Sequence, residues 1–60
     1  MSEYTLYLKA YTAARMGFSL PETTCKREAL AVALGVRDAK DAQQFCSEAH
    51  FDECMAQKLS

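Results

Sequence analysis

Glycine and proline stand at only three positions, Gly17, Pro21 and Gly35. They are the strongest local breakers of regular structure, so their scarcity confines the interruptions to "GFSLPETT" and "LGVRD". Between these breaks the spacing predicts three or four helical segments in a single small domain, residues 1–60. There is no linker, repeat or low-complexity stretch, and half of the residues are hydrophobic, which argues against disorder. The expected fold class is all-α, a small three- to four-helix bundle.

Ser2 suits an N-cap and Gly17 a left-handed C-terminal position, which predicts a first helix through about Met16. At 100° per residue, Tyr4, Tyr7, Leu8, Tyr11, Ala14 and then Phe18 form one apolar stripe, and Leu6, Ala10 and Ala13 a second of smaller residues. A wedge of Thr5, Lys9, Thr12 and Met16 is left for water. The alternative for residues 4–10 is a strand, because "YTLYL" is rich in β-formers; the tyrosine spacing and "KAYTAARM" favour the helix. Pro21 fits a first helical position, and Ser19 with Glu22 has capping-box spacing, although Thr24 could cap a later start. The second helix is expected to run to Leu34, apolar on every side between Ala29 and Leu34 and so enclosed by its neighbours. Gly35 would end it, and Asp38 would begin a third helix with Ala39, Ala42, Phe45, Cys46 and Ala49 inward. Beyond that the apolar phase breaks at Phe51, Cys54, Met55 and Leu59. The helix either restarts near Ser47 to His50, with Ser47 as a cap, or continues and presents two faces; a restart is favoured.

The residues "LAVALGV" resemble the core of the helix-turn-helix motif, with Ala31, Gly35 four residues later, Val36 after it, and Leu30 and Leu34 inward. This resemblance covers about a third of the chain. It departs from the pattern where Asp41 and Gln44 stand in place of apolar residues. It implies a recognition helix from about Arg37 to Ala49 that would present Arg37, Lys40, Gln43 and Gln44 to base edges in a DNA major groove. Electrostatics opposes that use. Residues 1–37 carry Lys9, Arg15, Lys26, Arg27 and Arg37 against Glu3, Glu22 and Glu28, whereas the remainder sets Lys40 and Lys58 against Asp38, Asp41, Glu48, Asp52 and Glu53. The net charge is −1 with the negative excess in the C-terminal part, and phosphate binding requires a basic surface that is missing here.

The three cysteines, Cys25, Cys46 and Cys54, are odd in number, and "MSEYTLYLKA" has no charged leader followed by a long apolar run. A reduced, cytoplasmic chain is therefore expected, with no segment long and apolar enough for a membrane. Cys46, His50 and Cys54 recur at four-residue intervals. On one helix an adjacent pair could bind zinc, with Cys25 as a further ligand, so a zinc-stabilised module is an alternative. Without a Cys-x-x-Cys knuckle, small core cysteines are the favoured reading and no cofactor is expected. Catalysis is not expected either, since sixty residues leave little room for a pocket with orienting groups, and there is no second histidine.

A chain of this length buries only about 60% of the surface that its unfolded form exposes, and commonly needs a disulfide, a metal or a partner. The apolar stripes exceed what three helices can cover, which favours self-association, a dimer, or a dedicated protein partner. The sequence thus reads as a non-enzymatic regulatory or inhibitory protein that binds another protein, with a regulator or nucleic-acid-binding protein as one such target. It is similar in size to compact phage or bacterial accessory proteins such as antirepressors. The expected interface residues are Tyr4, Tyr7, Tyr11 and Phe18 as apolar anchors, and Asp38, Asp41, Glu48, Asp52 and Glu53 as the complement to a basic partner or a mimic of phosphate.

Overall fold

The side-chain oxygen of Ser2 accepts a hydrogen bond from the Thr5 backbone N–H at 3.3 Å and opens helix α1, Glu3–Met16. Gly17 closes that helix in the left-handed region at φ 80°, and the Phe18 N–H then donates to the Ala13 carbonyl at 2.9 Å. The helical reading of residues 4–10 therefore holds over the strand. In the computed structural model, which describes residues 2–45 and 47–59, two further helices follow: α2, Lys26–Asp41, and α3, Glu48–Leu59. Among the described residues there is no strand.

Contacts run in the same order along α1 and α2. Glu3 meets Arg27 at 2.7 Å, Tyr7 and Ala10 pass Gly35, and the Arg15 guanidinium lies 3.5 Å from the Ala39 carbonyl. The two helices thus point the same way, and the connector 17–25 must travel back along the length of α1. Fourteen helical residues span about 21 Å. Nine connector residues reach about 30 Å when extended but only about 14 Å as helix. That requirement overrides the local signals at Ser19, Pro21 and Glu22. The expected capping box there does not form, and Cys25, the N-cap of α2, is itself extended at φ −151°. Glu28 supplies the start signal instead, its carboxylate accepting from the Thr24 backbone N–H at 2.8 Å and the Thr24 hydroxyl at 2.9 Å.

The largest correction concerns Gly35. It does not end a helix; α2 continues through it to Asp41, and the residues expected to open a separate third helix, Asp38 to Asp41, are the last turn of α2. Gly35 is buried where α1 crosses, and a Cβ built on it would lie 2.5 Å from the Tyr7 carbonyl oxygen, 2.9 Å from the Ala10 Cβ and 3.0 Å from the Tyr11 nitrogen. The glycine lets two backbones touch rather than letting the chain turn. The turn comes later, at Ala42, which adopts the left-handed conformation at φ 54°. Of the expected inward set, Ala39 is buried and Phe45 is half-buried against the core, whereas Ala42 and Ala49 are exposed and Cys46 lies outside the described residues. Nor is α2 enclosed all round, since Ala29 and Ala33 face solvent.

After the turn the chain restarts at α3 as expected, with the Ser47 hydroxyl oxygen accepting from the His50 N–H at 3.2 Å. This helix is held mainly by Phe51 and Met55, both buried against Leu6, Tyr7, Ala10, Ala31, Val32 and Leu34. Tyr7 is the centre of the core. Its ring lies 5.1 Å from Phe51, 5.2 Å from Phe45 and 6.0 Å from Tyr4, centroid to centroid, in the tilted and stacked arrangements that aromatic quadrupoles favour.

Candidate protein-binding surface

The Tyr7 hydroxyl donates to the Asp38 carboxylate at 2.6 Å and accepts from the Phe45 backbone N–H at 3.2 Å. One phenol thereby links α1, the end of α2 and the chain entering α3. Burial of the phenol first, and then its bond to Asp38, hold Tyr7 in its neutral form above the ordinary tyrosine range. Tyr7 and Asp38, both expected on an interface, are therefore part of the internal framework. Asp38 Oδ1 also accepts from Arg37 Nε at 3.2 Å. Tyr7 stands three residues after Tyr4 and three before Ala10, at the boundary between the two apolar stripes of α1, and it is buried while Tyr4 and Tyr11 are half-buried.

Phe18 lies elsewhere than the helical extrapolation placed it. Gly17 reverses the chain, so Phe18 leaves the tyrosine stripe and comes to the opposite side of α1, where with Ser19 it faces Thr5, Leu8, Lys9, Thr12 and Ala13 across an open groove of about 430 Å³. Thr5, Lys9 and Thr12, three of the four residues expected to face only water, line this groove beside Leu8 and Ala13. Phe18 is 65% exposed. Met16, one turn beyond Thr12, is 64% exposed, and Leu20, next after Ser19, is 48% exposed. Three of the four large apolar side chains exposed among the described residues thus lie within five positions of one another, the fourth being Leu59 on α3.

The other expected interface residues, Asp41, Glu48, Asp52 and Glu53, are all exposed. Among the described residues the ion pairs are Arg27 with Glu3 and Arg37 with Asp38, so these four carboxylates are left unpaired. The Glu3 carboxyl is held below the usual range, chiefly by its hydrogen bond from Arg27.

The residues expected to read DNA do not form a recognition helix, since Arg37 and Lys40 are on α2 while Gln43 and Gln44 follow it. Arg37, Gln43 and Gln44 border a smaller polar hollow of about 170 Å³, together with Asp38, Phe45 and His50. The Asp38 carboxylate inside that hollow disfavours a phosphate there. For the zinc alternative, His50 and Cys54 stand one turn apart on α3, exposed and half-buried respectively, and Cys25 is exposed at the start of α2. Its third helical ligand, Cys46, is outside the described residues, and among those described no group of three His, Cys, Asp or Glu converges on a point. Among the described residues no helix is long and apolar enough to cross a membrane.

Compared with known protein families, with curated proteins and with solved structures, the chain matches none.

Proposed function

We propose that this chain is a small non-enzymatic regulatory or inhibitory protein of the cytoplasm that works by binding other polypeptides. The observation that carries the reading is the apolar face of α1 and its connector, where Phe18 stands exposed at a groove lined by Leu8 and Ala13, and Met16 and Leu20 are exposed within two positions of it. Clustered exposed apolar side chains rimmed by polar ones mark protein contacts. The acidic groups Asp41, Glu48, Asp52 and Glu53 set the sign of the target surface, which is basic, as on a nucleic-acid-binding regulator. A duplex itself would be repelled by them.

Affinity capture from native cell extract, with and without nuclease, tests this reading. The wild type should retain a protein after nuclease and release it as salt rises, and a Glu48→Gln, Asp52→Asn, Glu53→Gln variant should retain little of it. Loss of all bound material on nuclease treatment, or retention indifferent to both salt and the triple change, would overturn the reading.

A further inference from the structure

We propose that α3 exchanges between two copies of this chain, with residues 42–44 as the hinge, so that Phe51 and Met55 of each copy fill the core of the other. The fold itself settles the occupant, because the site that one α3 leaves is shaped to the same segment of a second copy. The proposal stands apart from the functional reading, since the exposed face of α1 takes no part in the exchange.

Three observations carry it. First, the closed hinge is strained. Ala42 stands at φ 54° and ψ 33°, in the left-handed region, which disfavours alanine by a factor of about 5–30. Strain in a short hinge invites exchange, because opening releases it. Second, the open hinge has a better conformation available. Ala42, Gln43 and Gln44 are good helix formers directly after α2, and Ala39, Ala42 and Phe45 keep helical spacing, so α2 can run on once the chain need not fold back. The Ala42 and Gln43 N–H groups, which donate to the Ala39 and Asp38 carbonyls in the turn, keep partners in such a helix. All three hinge residues are exposed, so the change uncovers no core. Third, the contacts that fix α3 lie beyond the hinge and re-form in trans. Phe51 and Met55 pack on the core, and the Phe45 N–H reaches the Tyr7 hydroxyl at 3.2 Å. The strain also sets the scale. A segment on a short linker acts at an effective concentration of about 1 mM, and unstrained copies would exchange near that concentration. Releasing two strained hinges divides the figure by about 25–900, which places half-exchange at roughly 1–40 µM.

The test is sedimentation of the full chain over roughly 0.1 µM to 1 mM, which brackets that range. The wild type should pass from 6.7 kDa to twice that mass. Ala42→Gly removes the strain and should weaken pairing by about tenfold or more. Ala42→Val, β-branched and so worse in the left-handed region, should strengthen it. A dimer formed side by side through another surface would be indifferent to both changes. In a mixture of isotope-labelled and unlabelled wild type, isotope-filtered NMR should place Phe51 of one copy against Tyr7 of the other. If Ala42→Val fails to fold, the wild-type mass, Ala42→Gly and this contact still decide. A wild type that stays monomeric throughout, pairing unchanged by Ala42→Gly, or Phe51 meeting Tyr7 only within single copies would overturn the exchange.

Discussion

Replacing Gly35 by alanine sets two known effects against each other. In a helix interior alanine is favoured over glycine by about 1 kcal/mol, so at an exposed helical site the change would stabilise. Here the new Cβ would stand 2.5 Å from the Tyr7 carbonyl oxygen and 3.0 Å from the Tyr11 nitrogen, backbone atoms that no rotamer change can move. Ordinary contact begins near 3.4 Å, so α1 and α2 must separate by about 0.9 Å at their crossing. Gaps of 0.5–1 Å forfeit about a quarter to a half of the dispersion attraction between the facing atoms, and overpacking of cores commonly costs about 1–3 kcal/mol or more. The packing effect wins, for a net loss of roughly 1–3 kcal/mol. In a chain this small that lowers Tm by about 4–8 °C per kcal/mol, measured by circular dichroism at 222 nm. The size series separates a crossing from a turn. A turn glycine at positive φ tolerates asparagine better than alanine, whereas at this crossing Gly35→Asn should be worse than Gly35→Ala. Removing the Ala10 methyl as well should recover only part of the loss, since the Tyr7 carbonyl stays in place. A Gly35→Ala protein as stable as the wild type, or more so, would refute the close crossing.

Tyr7→Phe leaves the Asp38 carboxylate and the Phe45 N–H each short of a partner, and should cost about 1.5–3 kcal/mol in urea unfolding. Because the folded state raises the Tyr7 pKa, the native chain holds a proton that the unfolded chain loses above about pH 10. Stability should therefore be unaffected by this group below that pH and fall by about 1.4 kcal/mol per unit above it, a slope that Tyr7→Phe removes. Ala42→Gly should stabilise by roughly 0.5 kcal/mol, because left-handed alanine costs about 1–2 kcal/mol and the greater freedom of unfolded glycine returns about 0.4–1. A destabilised Ala42→Gly protein would contradict the turn at that residue. Phe51→Ala empties the centre of the aromatic cluster and should cost about 3–5 kcal/mol, with amide exchange of α3 rising before that of α1 and α2.

Both ends of the fold were legible because local chemistry decides them. Ser2 and Gly17 bound α1, and Ser47 restarts α3 where the apolar phase slips, all through hydrogen bonds within a few residues. The middle was not, because Gly35 serves equally to end a helix or to let another backbone approach, and only the partner helix decides between these. A signal did exist. Ala31, Leu34, Gly35, Asp38 and Ala39 recur at helical spacing straight across the supposed turn, and that continuity marks one buried face. The true end at Ala42 carried no signal, since alanine is the strongest helix former and here sits in a left-handed conformation. Of the residues expected on an interface, the exposure of Phe18 and of the acidic residues of α3 was readable. The position of Phe18 was not, because it depends on a connector that must run back along α1, and that in turn depends on the direction of α2.

The account turns on the face beside α1 being covered by another polypeptide in solution. Side-chain NMR of Leu8, Met16, Phe18 and Leu20, as the protein retained in the capture experiment is added, reads that face directly. Saturable shifts gathered on these four residues are expected. Resonances of all four that stay constant at saturating target would contradict the account.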